Sequence, residues 1–310
     1  MKCLEVWGGN QAVDNGVVMA GLDAWLFSRP YGDQSAGGDI HYVSSCAAGM
    51  LTRVLVADVS GHGEAVADSA RTLRSLMRRY VNFVDQTRFV RGLNDEFSAI
   101  ASAGGFATAV VATYYVPDDK LTVCNAGHPR PLWYSARRRS WSFVVAPAAP
   151  AKASAAAFQP ANIPLGIAGP TSYDQFAITL GTGDVVVLYT DSLLETKGTD
   201  GEMLGEDGLL RTVQGLDTSD PSDFLRALLA AVGPAQDGDD VTVLILRPNG
   251  LKPKVSAGVK LRAMRMLAKA AVASVFRGEI FPWPEPGPRE ALASLFSRLS
   301  PKRRGAGAAR

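Results

Sequence analysis

Five aspartates fall where a solvated acid has little obvious use: Asp39, Asp58, Asp191, Asp239 and Asp240. Each borders an apolar run that reads as a β-strand, next to Gly or a small polar residue. Asp39 follows Gly37-Gly38, and Asp58 closes Arg53-Val-Leu-Val-Ala. Asp191 follows Leu188-Tyr189-Thr190, and Asp239-Asp240 open Val-Thr-Val-Leu-Ile-Leu. A single acid at such a place is ordinarily a turn residue or a helix cap. If the strand ends converge, the carboxylates share a small volume and their mutual repulsion raises their pKa values unless a cation is present. An all-oxygen, Asp-rich set suits Mg²⁺ or Mn²⁺, whereas zinc prefers Cys and His ligands, of which the chain has only three each.

The elements that must position these acids follow from periodicity. Val17 to Ser28, Ile40 to Ser45 and Arg53 to Asp58 read as strands. Val66, Ala70, Leu73, Met77, Tyr80 and Val84 then recur at helical spacing with arginines between them, the pattern of an amphipathic helix facing a core. Phe89, Leu93, Phe97 and Ile100 predict a second helix from about Thr87 to Ala101, stopped by Gly104-Gly105. Phe106 to Val116 and Lys120 to Asn125 read as a hairpin around Pro117-Asp118-Asp119, and Leu132 to Tyr134 and Trp141 to Val145 add short strands. The Ala/Pro-rich stretch Ala146 to Ala161 reads as a mobile surface loop. Phe176 to Leu180 and Asp184 to Tyr189 suggest a further hairpin around Gly181-Thr182-Gly183. Helical patterns over 205–214 and 221–232 precede a last strand at 241–246. Hairpins outnumber βαβ units, so the expected class is α+β.

Composition bounds the function classes. Residues 1–250 carry 19 Lys+Arg against 27 Asp+Glu, and residues 251–310 carry 13 against 3. The acidic body argues against general nucleic-acid binding, and the break near Pro248 marks a domain at 1–250 and a basic extension at 251–310. Within that extension Leu261, Met264, Ala268, Ala271 and Val275 fall near one helical face with basic residues elsewhere. Such a helix suits an anionic membrane surface, an acidic partner, or the body itself. Arg289 to Leu299 suggests another helix, and 301–310 a disordered end. Three widely spaced cysteines form no disulfide framework, no secretory leader is evident, and no run of eighteen apolar residues occurs, so cytoplasmic location is expected.

Seven segments in order carry a resemblance: Gly37-Gly38-Asp39, Asp58-Val-Ser-Gly-His-Gly63, Phe106-Ala-Thr108, Asn125-Ala-Gly-His-Pro129, Pro164-Leu-Gly166, Tyr189-Thr-Asp191 and Asp239-Asp-Val-Thr242. The chain resembles the metal-dependent PPM-type (protein phosphatase 2C-like) serine/threonine phosphatases, in their SpoIIE/RsbU branch, from about Gly37 to Leu246. The resemblance implies an αββα sandwich of two antiparallel sheets with two divalent cations, Mn²⁺ or Mg²⁺, at one end. It implies that Asp58 bridges the cations, the Val59 carbonyl ligates one, Asp191 and Asp239 complete the opposite side, Asp39 binds metal-coordinated waters, and Asp240 supports them. The activated water would attack a phosphoserine or phosphothreonine of a regulatory protein, commonly an anti-sigma-factor antagonist in this branch. Ser192 departs from the Gly that many relatives have after the Tyr-Thr-Asp motif, so the backbone there must not require positive φ. Arg53 and Arg130 are the candidates for a phosphate-holding arginine. No sensor domain of the kind many relatives carry fits before residue 17, so regulation is expected through the extension, a partner or another chain.

Other readings compete. His62, in the loop after Asp58, suits a general acid or a loop histidine bonded to backbone, His128 reads as structural, and His41 has no ligand partner at metal-site spacing. Cys124 and Arg130 satisfy the Cys-x5-Arg spacing of cysteine phosphatases. Against that, Pro129 offers no N–H to a phosphate cradle, and Val123 stands where such enzymes have His. A phosphatase-fold module that binds a phosphorylated partner without turnover is the other alternative.

Overall fold

The computed structural model describes residues 3–32, 34–46, 49–61, 64–81, 85–100, 105–146, 162–169, 171–197, 201–233 and 239–252. His62, the stretch 147–161 and the basic extension from 253 onward therefore lie outside the described residues. The described residues fall within one compact unit, Met1–Pro253.

Twelve strands are described: β1 (Cys3–Gly9), β2 (Val13–Met19), β3 (Leu22–Arg29), β4 (Asp39–Cys46), β5 (Leu51–Val59), β6 (Ala107–Tyr115), β7 (Lys120–Ala126), β8 (Leu132–Ser135), β9 (Ser140–Phe143), β10 (Gln175–Thr179), β11 (Val185–Tyr189) and β12 (Val241–Pro248). They form two antiparallel six-stranded sheets, ordered β1-β4-β5-β6-β7-β10 and β2-β3-β12-β11-β8-β9. The helices are α1 (Glu64–Tyr80), α2 (Gln86–Ile100), α3 (Ser192–Glu195), α4 (Gly205–Gln214) and α5 (Pro221–Val232).

Alternation along the strands builds the layers. On β5, Val54 and Val56 face the core between the sheets, while Leu55, Ala57 and Val59 pack under α1 and α2 with Leu73, Met77, Phe89 and Leu93. On the other sheet, Leu244 and Leu246 of β12 face the same inner core, while Val241, Val243 and Ile245 pack against Leu209 of α4 and Phe224 and Leu228 of α5. The central strands of each sheet are thus buried on both faces, which is why strands such as β5 read as near-continuous apolar runs. The expected α+β, αββα sandwich is the observed architecture. Helix ends are fixed locally: Asp85 Oδ1 accepts the Thr87 N–H at 2.8 Å at the start of α2, and Asp220 accepts the N–H groups of Ser222 and Asp223 ahead of Pro221 in α5.

Two expectations about strands need correction, and one strand was missed. Val17 to Ser28 is not one strand. It contains the end of β2 and most of β3, joined by a tight turn in which Gly21 has φ +78° and a Cβ would stand 2.4 Å from the Val116 side chain. Nor do β10 and β11 form a hairpin. β10 joins the edge of the first sheet beside β7, whereas β11 sits inside the second sheet between β12 and β8. The Gly181–Gly183 turn therefore crosses between sheets. Buried Asp184 anchors it, accepting from Gly181 N–H (2.9 Å), Ala136 N–H (2.8 Å) and Trp133 Nε1 (3.1 Å). β1 escaped the periodicity reading altogether because its short, glycine-ended run, Cys-Leu-Glu-Val-Trp-Gly-Gly, lacks clean alternation. Among the described residues no helix is long and apolar enough to cross a membrane.

Candidate metal centre

The acids meet where the two sheets end together. In the register of β4 and β5, Asp39 stands directly opposite Asp58, and Asp58 in turn opposite Thr108 of β6. Val43, Val54 and Val56, which share the parity of these two aspartates, line the core between the sheets, so Asp39 and Asp58 also face inward. From the second sheet come Asp191, just past the end of β11, and Asp239-Asp240, just ahead of β12. The Thr190 hydroxyl bridges the sheets: it donates to Asp39 Oδ2 at 2.9 Å and accepts the Thr242 N–H at 3.0 Å. Thr190 is fully buried, and Thr242 contacts Ser28 Oγ at 3.0 Å.

Electrostatics mark the same grouping. Asp58 has its pKa pushed up to about 7, first by burial and then by Asp191, Asp239, Asp240 and Glu195. Asp239 rises to about 6 through burial, Asp191, Asp240 and Glu195. Asp39, 3% exposed, is raised well above the ordinary carboxylate range by burial, Asp58 and Asp240, against the opposing hydrogen bonds of Thr242 and Thr190. Burial raises Asp191. Glu195, at the end of α3, is an acid the sequence reading missed; its one-turn spacing from Asp191 was the available signal.

Asp240 plays a different part. Its Oδ1 accepts the Tyr31 N–H at 2.7 Å, and its Oδ2 accepts the N–H groups of Gly38 (2.5 Å) and Asp39 (3.2 Å). These bonds fasten the segment leading into β4. Asn10 fastens it from the other side, its Nδ2 donating to Gly37 O at 2.8 Å. The glycines are required by close approach: a Cβ on Gly37 would stand 2.1 Å from Asp240 Oδ2, and one on Gly38 would stand 3.0 Å from the Val59 carbonyl oxygen. Ser192 opens α3 without positive φ, as the departure from Gly demanded, and its Oγ lies 3.3 Å from Thr190 Oγ1.

The donor set fits a hard divalent cation. Like charges directly opposite on neighbouring strands are destabilising, and here buried Asp39 faces half-buried Asp58 beside further carboxylates with no basic side chain among the causes of their shifts. Among the described residues no three Asp, Glu, His or Cys side chains close into a complete cation sphere as they stand. The cluster is a set of facing acids, not a finished cage.

Several candidates do not join this site. Arg53 is 1% exposed under α1 and α2: its Nη1 donates to Val81 O at 2.8 Å, its Nε to Thr113 Oγ1 at 3.0 Å, and its guanidinium lies 5.2 Å over the Phe89 ring. It stands five residues up β5 from Asp58, on the order of 16 Å away. Arg130 pairs with Glu206 and lies 4.5 Å over Phe143. Cys124 is buried in the cluster beneath the helices, its thiol pushed up to about 12 by burial and then by Asp174 and Asp85. A buried, protonated thiol and an arginine engaged elsewhere remove the basis for thiolate chemistry. His41 is fully buried two positions beyond Asp39 on β4, with no hydrogen-bond partner at either ring nitrogen among the described residues. His128 is buried too, with Nδ1 2.8 Å from Thr108 Oγ1.

A sandwich of two antiparallel sheets between helices, with facing acids at one end, defines a protein phosphatase 2C-like fold. The family described as Stage II sporulation protein E (SpoIIE) matches residues 49–249, well over half of the chain, and the chain belongs to that family. Phosphoserine phosphatase RsbU of Bacillus subtilis is 23% identical over 230 residues, a match covering 73% of this chain and 63% of RsbU. The RsbU and RsbW domains of Rv1364c from Mycobacterium tuberculosis superpose with a TM-score of 0.60 at 22% identity, covering 84% of this chain and 70% of that one. The phosphatase domain of SpoIIE from Bacillus subtilis, solved with a fragment of its regulatory domain, gives 0.57 at 15% identity, covering 74% and 64%.

Proposed function

We propose that this chain is a metal-dependent protein phosphatase that hydrolyses phosphoserine or phosphothreonine on a regulatory protein. The observation that carries the reading is the inward-facing pair Asp39 and Asp58, directly opposed across β4 and β5 and met by Asp191 and Asp239 from the second sheet. In this reading Asp58 would bridge two cations, the Val59 carbonyl, Asp191 and Asp239 would complete their protein ligands, and Asp39 would hold their waters. Bound there, Mn²⁺ or Mg²⁺ would lower the proton affinity of a water and offset the charge of the phosphoryl oxygens.

The chain's own residues supply placement and charge. Asp39 and Asp58 start with raised proton affinity, so a cation must displace protons as it binds. Asp240 holds Asp39 by its main chain, and Thr190 holds it by its carboxylate. No side chain need form a covalent intermediate, in keeping with the buried, protonated state of Cys124.

That RsbU is a phosphoserine phosphatase supports a phosphoserine protein as substrate, and the branch resemblance suggests an anti-sigma-factor antagonist. For residues 251–310, 13 basic against 3 acidic side chains support an anionic partner.

Hydrolysis of a phosphoserine peptide by metal-stripped protein, with and without Mn²⁺ or Mg²⁺, tests the reading beside Asp58→Ala, Asp239→Ala and Cys124→Ser. Turnover should require the cation, vanish in both aspartate variants and persist without Cys124. Metal binding without turnover on any phosphoprotein would instead favour a binding module.

A further inference from the structure

We propose that Thr190 and His128 are positioning residues that set the affinity of the centre for divalent cations without touching them, by fixing the segment Tyr189–Asp191 against the first sheet. The proposal rests on the reading of the facing acids as a cation site.

The acids belong to two sheets, and a cation joins them only if the gap between the sheets is held. Through most of the sandwich that gap is filled by apolar packing, as at Val56 and Val110 on one side and Leu244 and Leu188 on the other. At the acidic end this packing stops, and polar contacts must take over. Two are present. The Thr190 hydroxyl receives the Thr242 N–H within its own sheet, which leaves its proton for Asp39 Oδ2 in the other sheet. The His128 ring meets Thr108 Oγ1 of the first sheet through Nδ1 at 2.8 Å and packs beside the Tyr189 main chain of the second, with no hydrogen bond at Nε2 among the described residues.

The ring is held from behind. Asn125 Oδ1 accepts the His128 N–H and Asn125 Nδ2 donates to the His128 carbonyl, both at 2.8 Å. Burial pushes the His128 pKa down to about 3, so the ring is a neutral spacer that adds no charge to the centre. The hydrogen bond of Thr190 and the packing of His128 on Tyr189 meet at consecutive residues, immediately before Asp191. At their other ends they reach Asp39 itself and Thr108, the cross-strand partner of Asp58. The Asn-Ala-Gly-His-Pro segment and the Thr of Tyr-Thr-Asp thereby act together to keep the acids of one sheet at a fixed distance from those of the other.

The test is a calorimetric Mn²⁺ titration of the metal-stripped full chain, wild type beside Thr190→Val, Thr190→Ser, His128→Ala and Thr108→Val, each checked for fold by thermal melting. Loss of a hydrogen bond that orients a ligand weakens metal binding about tenfold or more, and that is the shift expected for Thr190→Val, His128→Ala and Thr108→Val. Thr190→Ser restores the hydroxyl and should return wild-type affinity, a rescue that loss of general stability would not give. In peptide turnover the variants should need more Mn²⁺ while retaining kcat at saturating Mn²⁺. Thr108 is only half-buried, so Thr108→Val carries the test if Thr190→Val loses its fold. Wild-type Mn²⁺ affinity in the folded valine variants overturns the proposal and leaves the cation-site reading standing. A wild-type protein that binds no Mn²⁺ overturns both.

Discussion

Asp240 shows how an acid inside a cluster of acids can be structural. It accepts three backbone N–H groups, from Tyr31, Gly38 and Asp39. Removing the carboxylate leaves the N–H groups of buried Gly38 and Asp39 unmet, so Asp240→Ala should lower unfolding free energy by about 2 kcal/mol in urea titrations. Gly37→Ala should cost about as much, on the order of 1–3 kcal/mol, because its Cβ would collide with the Asp240 carboxylate. The buried histidines set an acid limb. Burial pushes His41 down to about 4 and His128 to about 3, from an ordinary value near 6.5. Below 6.5 the unfolded chain binds protons that the native chain does not. Their contribution to stability is therefore present above 6.5 and is lost as pH falls through 4 and then 3. Asp58, raised to about 7, acts with the opposite sign: its contribution is present below its ordinary value near 3.8 and is lost as pH rises through 7. Metal-free Asp58→Asn removes the Asp58 part of this opposing effect. Its urea midpoint should therefore fall more steeply than the wild type's between pH 7 and pH 4.

At the scale of elements, Arg53 binds the end of α1 to β5 and β6 through Val81 and Thr113 and stacks on Phe89 of α2. Arg53→Ala leaves a cavity and two orphaned partners. It should cost about 3 kcal/mol in chemical denaturation, while KM for a phosphoserine peptide stays at its wild-type value because the guanidinium lies far from the acids. A substantial rise in KM without loss of stability would restore Arg53 as a phosphate contact. Asp220 caps α5 with two N–H bonds, so Asp220→Ala should cost about 1 kcal/mol in the same assay.

Across the whole molecule, the acidic end is where two separately built sheets must agree. A cation that binds only when they do so stabilises the fold by mass action, about 2.7 kcal/mol at a hundredfold excess over Kd. Thermal melting should therefore show Tm rising with added Mn²⁺ and falling on chelation. Asp58→Asn should raise the metal-free Tm by relieving repulsion among the facing acids and should lose most of the gain from Mn²⁺. A variant that melts below wild type without metal and still gains fully from Mn²⁺ would place the charge conflict elsewhere.

The sequence by itself determined the class of fold, the places of the two long helices and of α4 and α5, and which aspartates border strand ends. Those signals are local: helical spacing from Val66 to Tyr80, apolar strands ending in Asp58 and beginning after Asp240, and glycine pairs beside acids. What it could not supply is pairing across long sequence separations. Nothing local to Gln175–Thr179 says that its neighbour is β7 and not β11, because a five-residue strand presents the same alternation to any partner. Likewise nothing near Thr190 announces Asp39, 151 positions earlier, and nothing near Asp240 announces the N–H groups of Tyr31 and Gly38. Arg53 misleads for the same reason: proximity in sequence to an acid is not proximity in space once a strand carries the side chain away. Residue types decided what chemistry was available. Only the stacking of two sheets, held by core packing and a few cross-sheet hydrogen bonds, decided which of those residues face one another.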